Sequence, residues 1–131
     1  MNTQSKNIRK FLSTCNDVTL AFLFGSFANG NVTPSSDLDI AIVFSQKPDF
    51  HCVNDLRQRL SETFNITVDI VPLNNASPII RMQVLKYGIL LLNKKPEIYN
   101  DFFVKTVAEY DDLKQIRNEI EKNILRGRIY A

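Results

Sequence analysis

The chain has 131 residues, enough to bury a core without disulfide or metal staples and too few for a second catalytic domain, so one nucleus spanning 1–131 is expected. Its composition, 44% hydrophobic and 23% charged, excludes a disordered or fibrous class. Sixteen Lys and Arg stand against fourteen Asp and Glu, and the net charge of +2 gives no general argument for a nucleic-acid partner.

The N-terminal residues lack an apolar segment behind their basic ones, and no stretch is long and apolar enough to span a bilayer, so a cytoplasmic, non-membrane protein is expected. Cys15 and Cys52, each expected inside a helix, have no CxxC or Cys/His company and read as free thiols.

In chain order, Ser5 to Asn16 places Ile8, Phe11, Leu12 and Cys15 at helical spacing. Val18 to Phe24 is almost continuously apolar, the pattern of a central strand. The segment GSFANG follows: Gly25 allows a tight turn, Ser26 offers a hydroxyl, and a short helix ends at Gly30, with Phe27 as its anchor to the core. After a loop containing Pro34, a second strand begins within Asp37-Leu38-Asp39 and runs to Phe44. Strand alternation sends Asp37 and Asp39 to one side and Leu38, Ile40 and Ile42 to the other.

Asp49 is placed to cap a helix from Phe50 to Asn65 whose apolar stripe is Phe50, Val53, Leu56, Leu60 and Phe64, with His51 off the stripe. The third strand, Ile66 to Leu73, carries Asp69 on one face with Thr67 and Val71. Pro78 opens another helix, with Ile79, Ile80, Val84, Leu85 and Tyr87 as its apolar members and Gly88 as its stop; Arg81 and Lys86 are phosphate-reaching or surface charges. Ile89 to Leu92 forms a short strand. A long helix from near Glu97 to about Leu125 ends the chain, its second half presenting Ile116, Ile120 and Ile124, before a basic stretch, Arg126 to Arg128, expected to fray. The fold class is therefore α/β (α+β): a small mixed sheet with flanking helices and a long C-terminal helix.

Asp37 and Asp39 have no cationic partner in their own strand, and a carboxylate in a β-branched strand such as Asp69 is costly to bury without a cation. Three such carboxylates from adjacent strands suit divalent ions, and two Mg²⁺ ions could serve a triphosphate held in the Gly25-Ser26 turn. The implied reaction is in-line attack of a hydroxyl on an α-phosphate, with pyrophosphate leaving. A glycosidase needs carboxyls on opposite sides of a sugar ring, which Asp37 and Asp39 cannot provide. There is no GxxxxGK[ST] loop, and one histidine supports no Ser-His-Asp or Cys-His set.

Gly25-Ser26, Gly30, the Asp37/Asp39 pair and the later Asp69 resemble the pattern of minimal nucleotidyltransferases of the polymerase β superfamily, in particular the MNT antitoxins encoded beside HEPN ribonuclease toxins. The resemblance covers essentially the whole chain. It implies a polymerase β-like fold and transfer of AMP from ATP to a tyrosine hydroxyl of a HEPN toxin partner within a hetero-oligomer. By the same carry-over, Gly25, Ser26 and the Asn29 position would contact the nucleotide. Asp37, Asp39 and Asp69 would bind Mg²⁺, and Asp69 would also activate the acceptor. The departure is Asn29, where the family often has Arg; Asn donates a hydrogen bond but brings no charge. Two alternatives are a non-catalytic antitoxin that neutralises by binding, and a small-molecule nucleotidyltransferase of the aminoglycoside-modifying type. Direct nucleic-acid binding is not expected, because no long basic groove is apparent.

Overall fold

The computed structural model describes residues 3–30, 33 and 35–125, without the side chains of Asn29, Ile124 and Leu125. Among the described residues the elements follow in the order α1 (Thr3–Ser13), β1 (Val18–Phe24), α2 (Ser26–Asn29), β2 (Leu38–Phe44), α3 (Phe50–Phe64), β3 (Val68–Pro72), α4 (Pro78–Tyr87), β4 (Ile89–Asn93) and α5 (Pro96–Leu125). The strands form one mixed sheet in the order β3-β2-β1-β4. β1 runs antiparallel to both β2 and β4, and β3 lies parallel to β2. The parallel pair needs a crossover, which α3 supplies.

β1 is apolar but for Thr19, whose hydroxyl donates to Val43 O, because both of its faces are covered. Ala21 and Leu23 pack with Ile8 and Leu12 of α1, Ile40 and Ile42 of β2, and Leu56 and Leu60 of α3. Leu20 and Phe22 pack on the opposite side with Ala41, with Val84 of α4, and with Tyr99 and Phe102 of α5. Each fully buried aliphatic side chain contributes about 1.5–3 kcal/mol, so these two layers, rather than the helices' own propensities, hold the sheet. Phe27 packs against the first layer and anchors α2, as expected.

Local signals set the helix ends. The Asp49 side chain accepts from Cys52 N at 2.7 Å and starts α3. Asn65 stops it in the left-handed conformation, φ 51°, which asparagine tolerates. Ser77 accepts from Ile80 N to start α4, whose first residue is Pro78. The Asn74 side chain both accepts from Phe44 N and donates to Phe44 O, each at 2.9 Å, tying the β3–α4 connection to the end of β2.

Four expectations change. α1 ends at Ser13, so Cys15 lies in the turn after it rather than in a helix. Phe50, assigned to the apolar stripe of α3, is 85% exposed at the first position of the helix. Tyr87, read as one of the apolar members of α4, is 71% exposed. Arg81 is neither a phosphate ligand nor a surface charge: it is buried, ion-paired with Glu109 of α5 and bonded through Nε to Ala76 O at 3.1 Å. Arg81 thereby fastens α4 to α5.

α5 has 30 residues, about 45 Å of helix. Its first half packs on the sheet through Tyr99, Phe102 and the buried Thr106, whereas Leu113, Ile116 and Ile120 remain exposed along its second half. The basic stretch 126–128 falls outside the described residues.

Candidate active site

The register of the sheet brings the predicted residues together. Asp39 is the Cα partner of Phe24 across β1–β2 and of Asp69 across β2–β3. Asp37, one residue before β2, shares Asp39's side by strand alternation. The three carboxylates therefore lie on the α4/α5 side of the sheet, at the end where β1 stops and β2 and β3 begin. Asp37 and Asp69 are exposed, and Asp39 is half-buried.

Gly25 follows Phe24 directly and adopts φ 71°, ψ −147°, a conformation available to glycine at little cost. A Cβ at this position would lie 2.3 Å from Asp39 Oδ2. Glycine is thus required twice, by its dihedrals and by the carboxylate against it. Ser26 then opens α2, a single turn closed where Gly30 N–H donates to Ser26 O. Asn29 belongs to that turn by its backbone, and its side chain lies outside the described residues.

Burial first, and then the neighbouring Asp69 and Asp37 charges, push the Asp39 carboxyl above its ordinary range. Among the described residues no Lys or Arg ion-pairs with any of the three aspartates. A group of hard oxygen donors that repel one another suits a divalent cation. Also among the described residues, no three acidic, His or Cys side chains already stand in positions that could hold a metal ion. The aspartates share a face and a neighbourhood, and closing a cage requires their side chains to turn inward.

α4 supplies residues that sequence reasoning missed. Ile80, Gln83, Val84 and Tyr87, spaced along one face of the helix, line a cleft of about 260 Å³ with Phe24 and Gly25. The signal was the i, i+3, i+4, i+7 spacing, which identifies a shared face without telling whether it covers core or cleft. His51 is exposed, as expected of a surface histidine. Lys86 stands over the Tyr110 ring at 5.7 Å and so braces α4 against α5.

Residues 6–97 match the family described as Polymerase beta, Nucleotidyltransferase. The chain belongs to the polymerase beta nucleotidyltransferase family. The protein adenylyltransferase MntA of Shewanella oneidensis is 29% identical over 122 residues, which is 93% of this chain and 87% of that protein. The structure superposes with a TM-score of 0.77 on a chain in the crystal structure of a toxin–antitoxin with AMP-PNP, at 28% identity and covering 95% of this chain and 99% of that one. A chain in a complex of tri-AMPylated Shewanella oneidensis HEPN toxin with MNT antitoxin gives a TM-score of 0.73 at 27% identity, with the same coverage. The protein is thus an antitoxin-type nucleotidyltransferase homologous to MntA, with the polymerase β-like fold the sequence resemblance implied. This kinship supports nucleotide transfer as its chemistry. No helix among the described residues is long and apolar enough to cross a membrane.

Proposed function

We propose that the chain is a Mg²⁺-dependent protein adenylyltransferase of the cytoplasm that transfers AMP from ATP to a tyrosine hydroxyl of a cognate HEPN toxin, silencing it within a hetero-oligomer. The observation that carries this reading is the Asp39–Asp69 register with Gly25 pressed against the Asp39 carboxylate. It joins a glycine-serine turn to a cluster of oxygen donors without a cationic partner among the described residues.

Asp37, Asp39 and Asp69 would hold two Mg²⁺ ions, and the residues fit the group, since carboxylate oxygens are the ligands this cation prefers. When bound, the metal supplies charge neutralisation and eases ionisation of the acceptor hydroxyl. Gly25 and Ser26 bind the triphosphate through backbone N–H groups and the serine hydroxyl, and orient it for displacement. Asp69, exposed at the edge of the cluster, receives the phenolic proton as the tyrosine oxygen bonds to the α-phosphorus. The bond from that phosphorus to the bridging oxygen breaks, and pyrophosphate leaves. Asn29 contributes a neutral hydrogen bond where the family often places an arginine.

A second reading, neutralisation by binding alone, draws on the distal half of α5. There Tyr110, Leu113, Ile116 and Ile120, with Ile79 of α4, line a hollow of about 510 Å³. Incubation with ATP labelled at the α-phosphate separates the two: transfer of label to the toxin by the wild type and none by Asp39→Asn supports catalysis. A toxin that is neutralised yet carries no label would overturn it.

A further inference from the structure

The site positions form a row across the sheet, with Gly25 at the end of β1, Asp39 on β2 and Asp69 on the edge strand β3. Strands lie about 4.8 Å apart, so the row spans roughly 10 Å. In-line displacement puts the leaving pyrophosphate and the incoming hydroxyl on opposite sides of the phosphorus. With the triphosphate in the Gly25-Ser26 turn, the acceptor must come in over β3. Ile80 borders two hollows: the cleft that contains Gly25, and a groove of about 430 Å³ over the free edge of β3, between α3 and α4 and beyond Asp69 along the strand. That groove is lined by Pro48, Phe50, Val53, Val71, Pro72 and Ile80. Val71 lies two residues from Asp69 along the same face, about 7 Å away. Phe50 is 85% exposed and Ile80 43% exposed.

We propose that this groove is the docking surface through which the acceptor protein presents its tyrosine to Asp69, with Phe50 as the anchoring side chain. The inference rests on the adenylyl-transfer reading and adds the direction of approach and the residues that select the acceptor. The occupant is a tyrosine-bearing segment of a protein. One related complex holds a tri-AMPylated HEPN toxin with its MNT antitoxin, and the lining of the groove on β3 begins just beyond Asp69. Pro72 removes one hydrogen-bond donor from the β3 edge, so contact is made by side chains in the groove more than by strand addition. An exposed aromatic beside a shallow apolar surface is a typical binding anchor.

Phe50→Asp tests it. The position is exposed and opens a helix, where an acidic side chain is favourable, so the fold is retained, as circular dichroism would check. The dissociation constant for the toxin without nucleotide is expected to rise by about tenfold or more. In initial-rate assays the KM for the toxin rises by a similar factor, while the KM for ATP stays within about twofold. An unchanged dissociation constant and unchanged toxin KM would overturn the proposal, as would a loss confined to the ATP KM. If the wild type binds toxin but transfers no AMP, the adenylylation reading fails and takes the tyrosine-presenting role with it.

Discussion

Gly25 and Asp39 are the residues whose chemistry is most tightly coupled. Gly25→Ala forces a Cβ to within 2.3 Å of Asp39 Oδ2 in a backbone with φ 71°. The expected outcome is a loss of about 1–3 kcal/mol in urea unfolding together with loss of nucleotide transfer. Asp39→Asn behaves in the opposite way. Because its carboxyl is raised above the ordinary 3.8, the folded protein binds that proton more tightly than the unfolded chain does. The stabilising share of Asp39 is therefore fully present below the unfolded value and is lost as pH rises through the folded one. At pH 7 the ionised group is a cost in the metal-free protein. Asp39→Asn should melt at or above the wild-type temperature at pH 7 and lose that advantage below about pH 4. A metal-free Asp39→Asn variant that melts lower at pH 7 would contradict the repulsion argument. These residues were legible in the sequence because strand alternation and a glycine-serine turn are local patterns. Arg81 was not, since its partner Glu109 is 28 residues away and no local pattern announces a long-range ion pair.

Among elements, α4 is the one the sequence described least well and the one that shapes both hollows. Its start and stop were readable from Pro78 and Gly88, yet which face meets the core depends on α5 lying across it. Arg81 decides that arrangement through Ala76, Thr106 and Glu109. Arg81→Met leaves Glu109 and the Ala76 carbonyl without their cation. Because Glu109 is 37% exposed, the expected cost is about 2–3 kcal/mol, below that of a fully buried pair. Equilibrium unfolding measures it, and a change under about 0.5 kcal/mol, the range of ordinary surface substitutions, would show that α4 is held by packing alone. Asn74→Ala removes both bonds to Phe44 and should cost about 1–2 kcal/mol in the same assay. The sequence placed a loop at Asn74 but could not show that its amide continues the hydrogen bonding of β2.

At the scale of the whole molecule, the central place of β1 followed from its apolar pattern, and the family resemblance implied a polymerase β-like fold around it. The destination of α5 did not follow, because exposed and buried isoleucines look alike in a helical repeat. With Ile116 54% exposed and Ile120 52% exposed, replacing both by Asp should shift the unfolding midpoint of the isolated chain by no more than about 0.5 kcal/mol equivalent. A larger loss would mean that this half of the helix folds back on the core. The central claim, adenylyl transfer to a protein partner, is tested most directly by intact mass spectrometry of the cognate toxin after incubation with this chain, ATP and Mg²⁺. The expected result is a gain of about 329 Da per transferred AMP with the wild type and none with Asp39→Asn. An initially unmodified toxin that forms the complex and keeps its mass would contradict it.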